Sequence, residues 1–431
     1  MFISNLKILE LQNKIKINEV VSEFIALKKQ GENFWSCCPF HSEKTPSFSI
    51  SPIKNFYKCF GCGVSGDSIS FVQKIQGVSF LDAVKYLAKK YQIDIGNNKK
   101  YKNKINIKNS IYLIIKITKE YYLNKLWNTK EGEVGLKYFK SKNFSDFFIK
   151  KFELGYSGKK WNNFYQFSKE KINIKNLINL SLVIKKKEKK YDFFRERLMF
   201  PIHDIDGRVI AFGGRIIKSK NSKFKYINSS ENVLYKKNNI LYGIFYAKKK
   251  IREKNNCFLV EGYTDVIRLH MNGIENVVGS LGTSITNNQI NIIKKFTNNI
   301  IILFDGDIAG IKATLNSINM IITLGMNVKI ISLPLKEDPD SYAQKVGEVE
   351  LKKYFKKNLK SFLYFKYTIA IKNFSNDYIK KSELIKDILF SISFIPDLIQ
   401  KTILIQDCSK IFKINEIIFL SYINFLKKKK K

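Results

Sequence analysis

At 431 residues the chain is long enough for roughly two to four domains with a sizeable buried core. It has no apolar run of the roughly eighteen residues that a membrane span needs, and its start, Met1-Phe-Ile-Ser-Asn-Leu-Lys-Ile, lacks the pattern of an export signal, so a cytoplasmic location without a membrane partner is expected. The formal charge of +39 invites nucleic acid, but Lys, Ile and Asn are over-used throughout, so compositional drift is an equal explanation.

In chain order, apolar residues at helical spacing over Asn18–Gln30, closed by Gly31, predict a helix. Short strands are expected over Phe34–His41, Ser47–Ile50 and Asn55–Cys59. Helices follow over Ser68–Gln76 and Leu81–Tyr91, the second capped by Ser79 with Asp82. Within this segment Cys38-x2-His41-x17-Cys59-x2-Cys62 sets two ligand pairs, each able to wrap one side of a tetrahedral ion. One structural zinc is expected, since nothing suggests an open coordination position, and only Cys38, not the adjacent Cys37, gives the correct spacing. Lys44, Lys54, Phe56, Tyr57, Lys58 and Phe60 suit either a single-strand binding surface or the core of a small ribbon. Residues 1–96 are read as one domain and the Lys/Asn-rich stretch 97–109 as a linker.

Residues 110–250 form the next region. It opens with a helix over Ile111–Trp127 and another beginning at Val134. The runs Arg197–Ile202 and Val209–Phe212, joined by Asp206-Gly207, predict a β-hairpin. Arginine occurs only at positions 195, 197, 208, 215, 252 and 268, in a chain that otherwise writes its cations as lysine. Clustering of Arg195, Arg197, Arg208 and Arg215, with Lys223, Lys225 and Tyr226, suggests guanidinium forks for template or nucleotide phosphates. A structural cluster with Glu196, Asp204 and Asp206 is the alternative.

Over 251–345 short apolar strands alternate with helical patterns and end in acids: Cys257–Val260 delivers Glu261 and Asp265, Ile300–Phe304 delivers Asp305-Gly306-Asp307, and Asp338-Pro-Asp340 follows. Further strands are expected over Asn276–Ser280 and Asn327–Ser332. In extended chain Asp305 and Asp307 face the same way, with Gly306 leaving room for a metal or phosphate. Oxygen-only ligands favour Mg²⁺ or Mn²⁺, and two such ions suit activation of a 3′-hydroxyl and stabilisation of a leaving pyrophosphate. Residues 346–431 read as helical. The fold class is thus multidomain, α+β and α/β, with a zinc ribbon, an α/β catalytic domain and a C-terminal helical subdomain.

These motifs together resemble the DnaG-type bacterial replicative primases. Cys38-Pro-Phe-His41-Ser-Glu-Lys-Thr-Pro-Ser-Phe48 with Cys59-Phe-Gly-Cys62-Gly resembles the family's zinc ribbon; Glu196–Ile202, Gly207–Arg215 and Lys225-Tyr-Ile-Asn-Ser229 resemble the basic N-terminal part of its polymerase core. Glu261-Gly-Tyr-Thr-Asp265, Phe304–Gly310 and Asp338-Pro-Asp340 resemble its Toprim catalytic motifs. The resemblance implies a nucleotidyltransferase that makes short RNA primers on single-stranded DNA from ribonucleoside triphosphates. It implies Glu261, Asp305 and Asp307 as magnesium ligands, Asp265, Asp338 and Asp340 completing the acidic site, and a ribbon that helps select the start site. Family members usually carry a further helical domain that docks on the replicative helicase. Here 346–431 resembles the end of the core, so that domain is expected to be absent and helicase contact to need another surface. A monomer is expected. The alternatives are a Toprim nuclease or topoisomerase, and a non-catalytic zinc-dependent protein that binds single-stranded DNA.

Overall fold

The computed structural model describes residues 5–93, 99–217, 224–282, 285–373 and 378–429. It divides into two compact units, residues 1–107 and 108–431.

In the first unit, helices α1 (Asn5–Lys14) and α2 (Ile17–Val21) precede a five-stranded antiparallel meander: β1 (Lys28–Gln30), β2 (Asn33–Ser36), β3 (Phe48–Ser51), β4 (Phe56–Cys59) and β5 (Ser65–Gly66). Helices α3 (Ser68–Gln76) and α4 (Phe80–Lys90) follow, and the Ser79 hydroxyl caps α4 by accepting from the Asp82 backbone N–H at 3.3 Å. The single helix expected over Asn18–Gln30 is not formed. Lys28–Gln30 pairs with Asn33–Trp35 instead, and Gly31, at φ +63°, makes the hairpin turn where a helix end was expected. Strand alternation sorts the aromatics. Phe48 and Tyr57 stack in the core with Phe40 and Phe71, whereas Phe56 and Phe60 stay exposed.

Helix α5 (Lys99–Trp127) includes positions 99–109 of the stretch read as a linker; 97 and 98 lie outside the described residues. Then come α6 (Glu133–Ser141), α7 (Asp146–Lys151), β6 (Gly155–Tyr156), α8 (Asn163–Ser168), α9 (Ile174–Asn179), and the hairpin β7 (Val183–Lys186) and β8 (Lys189–Asp192). β9 (Arg197–His203) and β10 (Val209–Ile216) form the expected antiparallel hairpin. With β11 (Tyr226–Asn228) they build a four-stranded sheet in the order β11-β10-β9-β6.

Helix α10 (Ile244–Lys254) leads into the α/β region: β12 (Cys257–Val260), α11 (Tyr263–Met271), β13 (Val277–Gly279), α12 (Asn287–Lys294), β14 (Asn299–Ile302), α13 (Ile308–Thr323), β15 (Asn327–Ile331) and α14 (Pro339–Asn358). β13, β12, β14 and β15 lie side by side and parallel; buried Val, Ile and Leu side chains make β12, β13 and β14 read as apolar runs, whereas β15 alternates with exposed Asn327 and Lys329. One antiparallel edge strand, β16 (Leu359–Ser361), was not expected from sequence. Helices α15 (Phe362–Asn373), α16 (Tyr378–Ser393), α17 (Leu398–Phe412) and α18 (Glu416–Lys429) close the chain. Buried Lys366 ties α15 to Asp387 and Ser391 of α16 at 2.6 and 2.7 Å.

Candidate metal and phosphoryl-transfer sites

In the first unit the four expected ligands converge. One donor atom from each of Cys38, His41, Cys59 and Cys62 lies within 4.8 Å of the others, while Cys37 is exposed outside the group. Two tight turns make this fit. The Phe40 backbone N–H donates to Cys38 Sγ and the Cys62 N–H to Cys59 Sγ, both at 3.4 Å, and a Cβ on Gly61 would lie 2.8 Å from the His41 ring. Burial pushes the Cys38 thiol up to about 12. Burial also opposes ionisation of Cys59, yet the Ser47 hydroxyl and the Cys62 N–H outweigh it and bring that thiol down to about 6. Sulfur and imidazole donors grouped in this way suit a tetrahedral Zn²⁺, which would supply the missing positive charge.

Sequence reasoning passed over Glu43. His41 turns Nδ1 towards Cys59 Sγ and Nε2 towards Glu43 Oε2 at 3.1 Å, and Glu43 accepts from the Cys38 N–H at 2.6 Å and the Ser47 hydroxyl at 2.5 Å. One carboxylate thus orients both the first turn and the imidazole, the outer partner that metal-binding histidines require. Its position two residues after His41 was the available signal.

The acids gather at the carboxyl edge of the parallel sheet, where open α/β sheets bind ligands. Glu261 follows β12 directly, and Asp305 stands three residues beyond β14. The Oε1 of Glu261 and the Oδ1 of Asp305 are buried without a hydrogen-bond partner. Burial, then the neighbouring Asp305 charge, pushes the Glu261 carboxyl up to about 7; burial, Asp338 and Asp307 push Asp305 up to about 6, against the pull of Lys225. Two carboxylates with orphaned buried oxygens fit a divalent cation, because nothing else among the described residues satisfies them.

The remaining acids carry structural duties as well. Asp307 caps α13, its Oδ1 accepting from the Gly310 N–H at 2.7 Å, and Asp338 caps α14 by accepting from the Ser341 N–H at 2.6 Å. Asp265, buried in the first turn of α11, accepts from the Gly262 N–H at 2.9 Å. Burial and the charges of Asp338, Asp305 and Asp340 hold its carboxyl far above the usual range. Asp340 is paired with Arg268, Oδ1 to Nε 2.7 Å, both buried. The extended-strand picture for Asp305 and Asp307 does not apply: β14 ends at Ile302, and the intervening residues form the turn into α13. Nor does Gly306 make room for a ligand. A Cβ there would lie 2.2 Å from the Pro334 carbonyl, so the glycine permits a close backbone approach.

The arginines do not make one cradle. Arg208, exposed at the hairpin turn, pairs with Asp204 at 3.2 Å and Asp206 at 3.1 Å and lies over Tyr112. Arg195 donates to the Asp192 carbonyl and stacks on Trp161. Buried Arg197 donates to the carbonyls of Gly214, Lys225 and Phe224, stitching the segment before β11 to the hairpin. Arg215 is held between the rings of Tyr138 and Tyr226, 5.1 and 5.5 Å from their centres. Tyr226 stacks in turn on Tyr263 of α11, whose hydroxyl donates to Asn228 at 2.7 Å. Lys225 and Tyr226 are the members near enough to the acids to interact electrostatically with them, Lys225 with Asp305 and Tyr226 with Asp265, and Arg215 lies against Tyr226. Lys223 lies outside the described residues.

A zinc ribbon and an acid-edged parallel sheet joined to a basic hairpin define a nucleic-acid-processing protein of the Toprim class. Residues 3–103 match the CHC2 zinc finger family, 121–248 the N-terminal domain of the DNA primase catalytic core, and 258–343 the Toprim-like family. The DNA primase of Clostridium acetobutylicum is 40% identical over 77% of this chain and 55% of its own length; that of Staphylococcus epidermidis is 34% identical over 94% and 69%. The chain thus spans between 55 and 69% of the length of these two relatives. The crystal structure of the zinc-binding and RNA polymerase domains of Aquifex aeolicus primase superposes with a TM-score of 0.64 at 33% identity, covering 96% of this chain and 99% of that one. A DnaG primase catalytic domain bound to single-stranded DNA gives 0.63 at 29% identity, covering 70% and 98%. The chain belongs to the DnaG-type DNA primase family.

Proposed function

We propose that the chain is a nucleotidyltransferase that synthesises short RNA primers on single-stranded DNA from ribonucleoside triphosphates, in the cytoplasm. The observation that carries this reading is the pair of buried, unpartnered oxygens on Glu261 and Asp305, set at the sheet edge within the influence of Lys225. Glu261, Asp305 and the second oxygen of Asp307 would hold Mg²⁺ or Mn²⁺, ions that supply a lowered hydroxyl pKa and charge neutralisation at a leaving pyrophosphate. The protein's own groups do the positioning. Asp307 fixes the start of α13 against Asp305, while Lys225 and Arg215, the latter braced by Tyr138 and Tyr226, offer cations to a triphosphate or a template backbone.

Cys38, His41, Cys59 and Cys62 would hold one structural Zn²⁺. On the outer face of the ribbon sheet, Lys28 pairs with Trp35, Trp35 with Ser49 and Ser49 with Lys58, and Trp35 stacks on exposed Phe60. Alternating lysines and flat rings favour single-stranded template. The test is incubation of zinc-loaded protein with single-stranded DNA, ribonucleotides and Mg²⁺. Short RNA is expected; no product, or cleavage of the DNA, would overturn the reading.

A further inference from the structure

The acids of the sheet edge are not equivalent in charge balance. Glu261 and Asp305 each keep an orphaned buried oxygen, and the Asp305 charge bears on Glu261, whereas Asp340, on the first turn of α14, is paired with Arg268 of α11. There its Oδ1 accepts from Arg268 Nε at 2.7 Å, with both side chains less than a tenth exposed. The same guanidinium donates to the Lys142 carbonyl and lies 4.8 Å from the centre of the Phe144 ring, so backbone and ring hold it in place. This is one of only six arginines in a lysine-dominated chain, placed where a planar fork can reach a carboxylate and a carbonyl together. A dication sharing Asp340 would stand beside that fixed positive charge in a dry environment and be strongly repelled.

We propose that Arg268 is the counter-ion at the Asp340 end of the acidic row, which makes Asp340 a positioning residue and confines divalent cations to the Glu261–Asp305 end. The proposal rests on the reading above that the acidic edge binds such ions. In positional terms the pair ties the start of α14, which carries the Asp338 cap, to α11, which carries Asp265. The sequence resemblance places Asp340 in the acidic site without naming it a ligand and gives no sign of its partner, because Arg268 lies far from it in the chain.

The experiment is a titration of the zinc-loaded full chain with Mn²⁺, followed by electron paramagnetic resonance, which counts bound ions without requiring activity. The double variant Arg268→Met with Asp340→Asn removes both charges together and is expected to fold, since neutral replacements of buried ion pairs are commonly tolerated. It should keep the wild-type number of Mn²⁺ ions and an affinity within about twofold, whereas loss of an ion or weakening by about tenfold or more, the scale of disrupted coordination, would overturn the proposal. Arg268→Met alone leaves Asp340 uncompensated and should gain an ion or bind Mn²⁺ about tenfold tighter; no gain would count against it. Arg268→Lys should restore the wild-type titration, and failure to do so would also count against it. Wild-type protein that takes up no Mn²⁺, or Glu261→Gln that keeps every ion, would remove the cation reading itself. That result differs from one in which Glu261→Gln and the double variant both lose ions.

Discussion

The cysteine cluster of the ribbon and the carboxylate cluster of the sheet edge both concentrate ligand-type side chains, yet they are supported in opposite ways. Around the cysteines every turn is closed: backbone N–H groups point at sulfur, Glu43 holds the imidazole, and Ser47 reaches both Glu43 and Cys59. Around the carboxylates the support stops short, and Glu261 and Asp305 keep buried oxygens that nothing among the described residues satisfies. A closed donor set holds an ion for the sake of the fold, and an open one leaves positions for substrate. On the proposed reading one chain would use metal ions for two purposes, distinguishable by how completely the outer partners are filled.

The largest effect that could break this contrast is zinc removal. Stripping the ion with a strong chelator should unfold the first unit, because structural zinc supplies on the order of 10 kcal/mol or more of folding free energy in small metal domains. Far-ultraviolet circular dichroism should register partial loss of structure, with the α/β region retained; an unchanged spectrum would mean that the cluster is not structural.

Next in size, Glu43→Gln keeps the shape but removes the carboxylate facing His41, and should weaken Zn²⁺ binding about 10–100-fold in a chelator competition. Unchanged affinity would remove Glu43 from the account.

The smallest effect sharpens the open site. Glu261 and Asp305 have folded-state values raised to about 7 and about 6, so the native protein binds protons that the unfolded chain has already released. Between the ordinary carboxylate values and about 7, stability without divalent cations should therefore fall as pH rises, the folded state losing the benefit of the neutral acids. Mg²⁺ should reverse the trend by replacing the protons, raising the melting temperature more at pH 8 than at pH 5. Equal shifts at both pH values would contradict the assignment.

Much of this was legible in the sequence because it is local. The zinc ligands lie on two short turns whose spacing sets the geometry, and the central strands β12 and β14 are buried almost throughout, so they appear as apolar runs leading to acids. The roles of individual acids were not legible, since they depend on where a strand stops. Ile302 ends β14, which makes Asp307 a helix cap, and Arg268 reaches Asp340 only once α11 packs against α14. The same limit applies to Asn18–Gln30, whose apolar spacing suits a helix until Asn33–Trp35 offers its last residues a strand partner. The arginine cluster divides between its two readings for a related reason, Arg208 following the structural alternative with Asp204 and Asp206. Asp204 and Asp206 flank Arg208 at a turn, and the carbonyls claimed by Arg197 become neighbours only through strand pairing.

The most direct test of the open-site claim is primer synthesis by Glu261→Gln and Asp305→Asn over a range of Mg²⁺, with template binding measured alongside. Each substitution is expected to reduce synthesis by about a hundredfold or more, the scale on which a preorganised charge-stabilising group acts, while template binding stays near the wild-type level. Near-normal synthesis in both variants, or an equal collapse of template binding, would contradict the account.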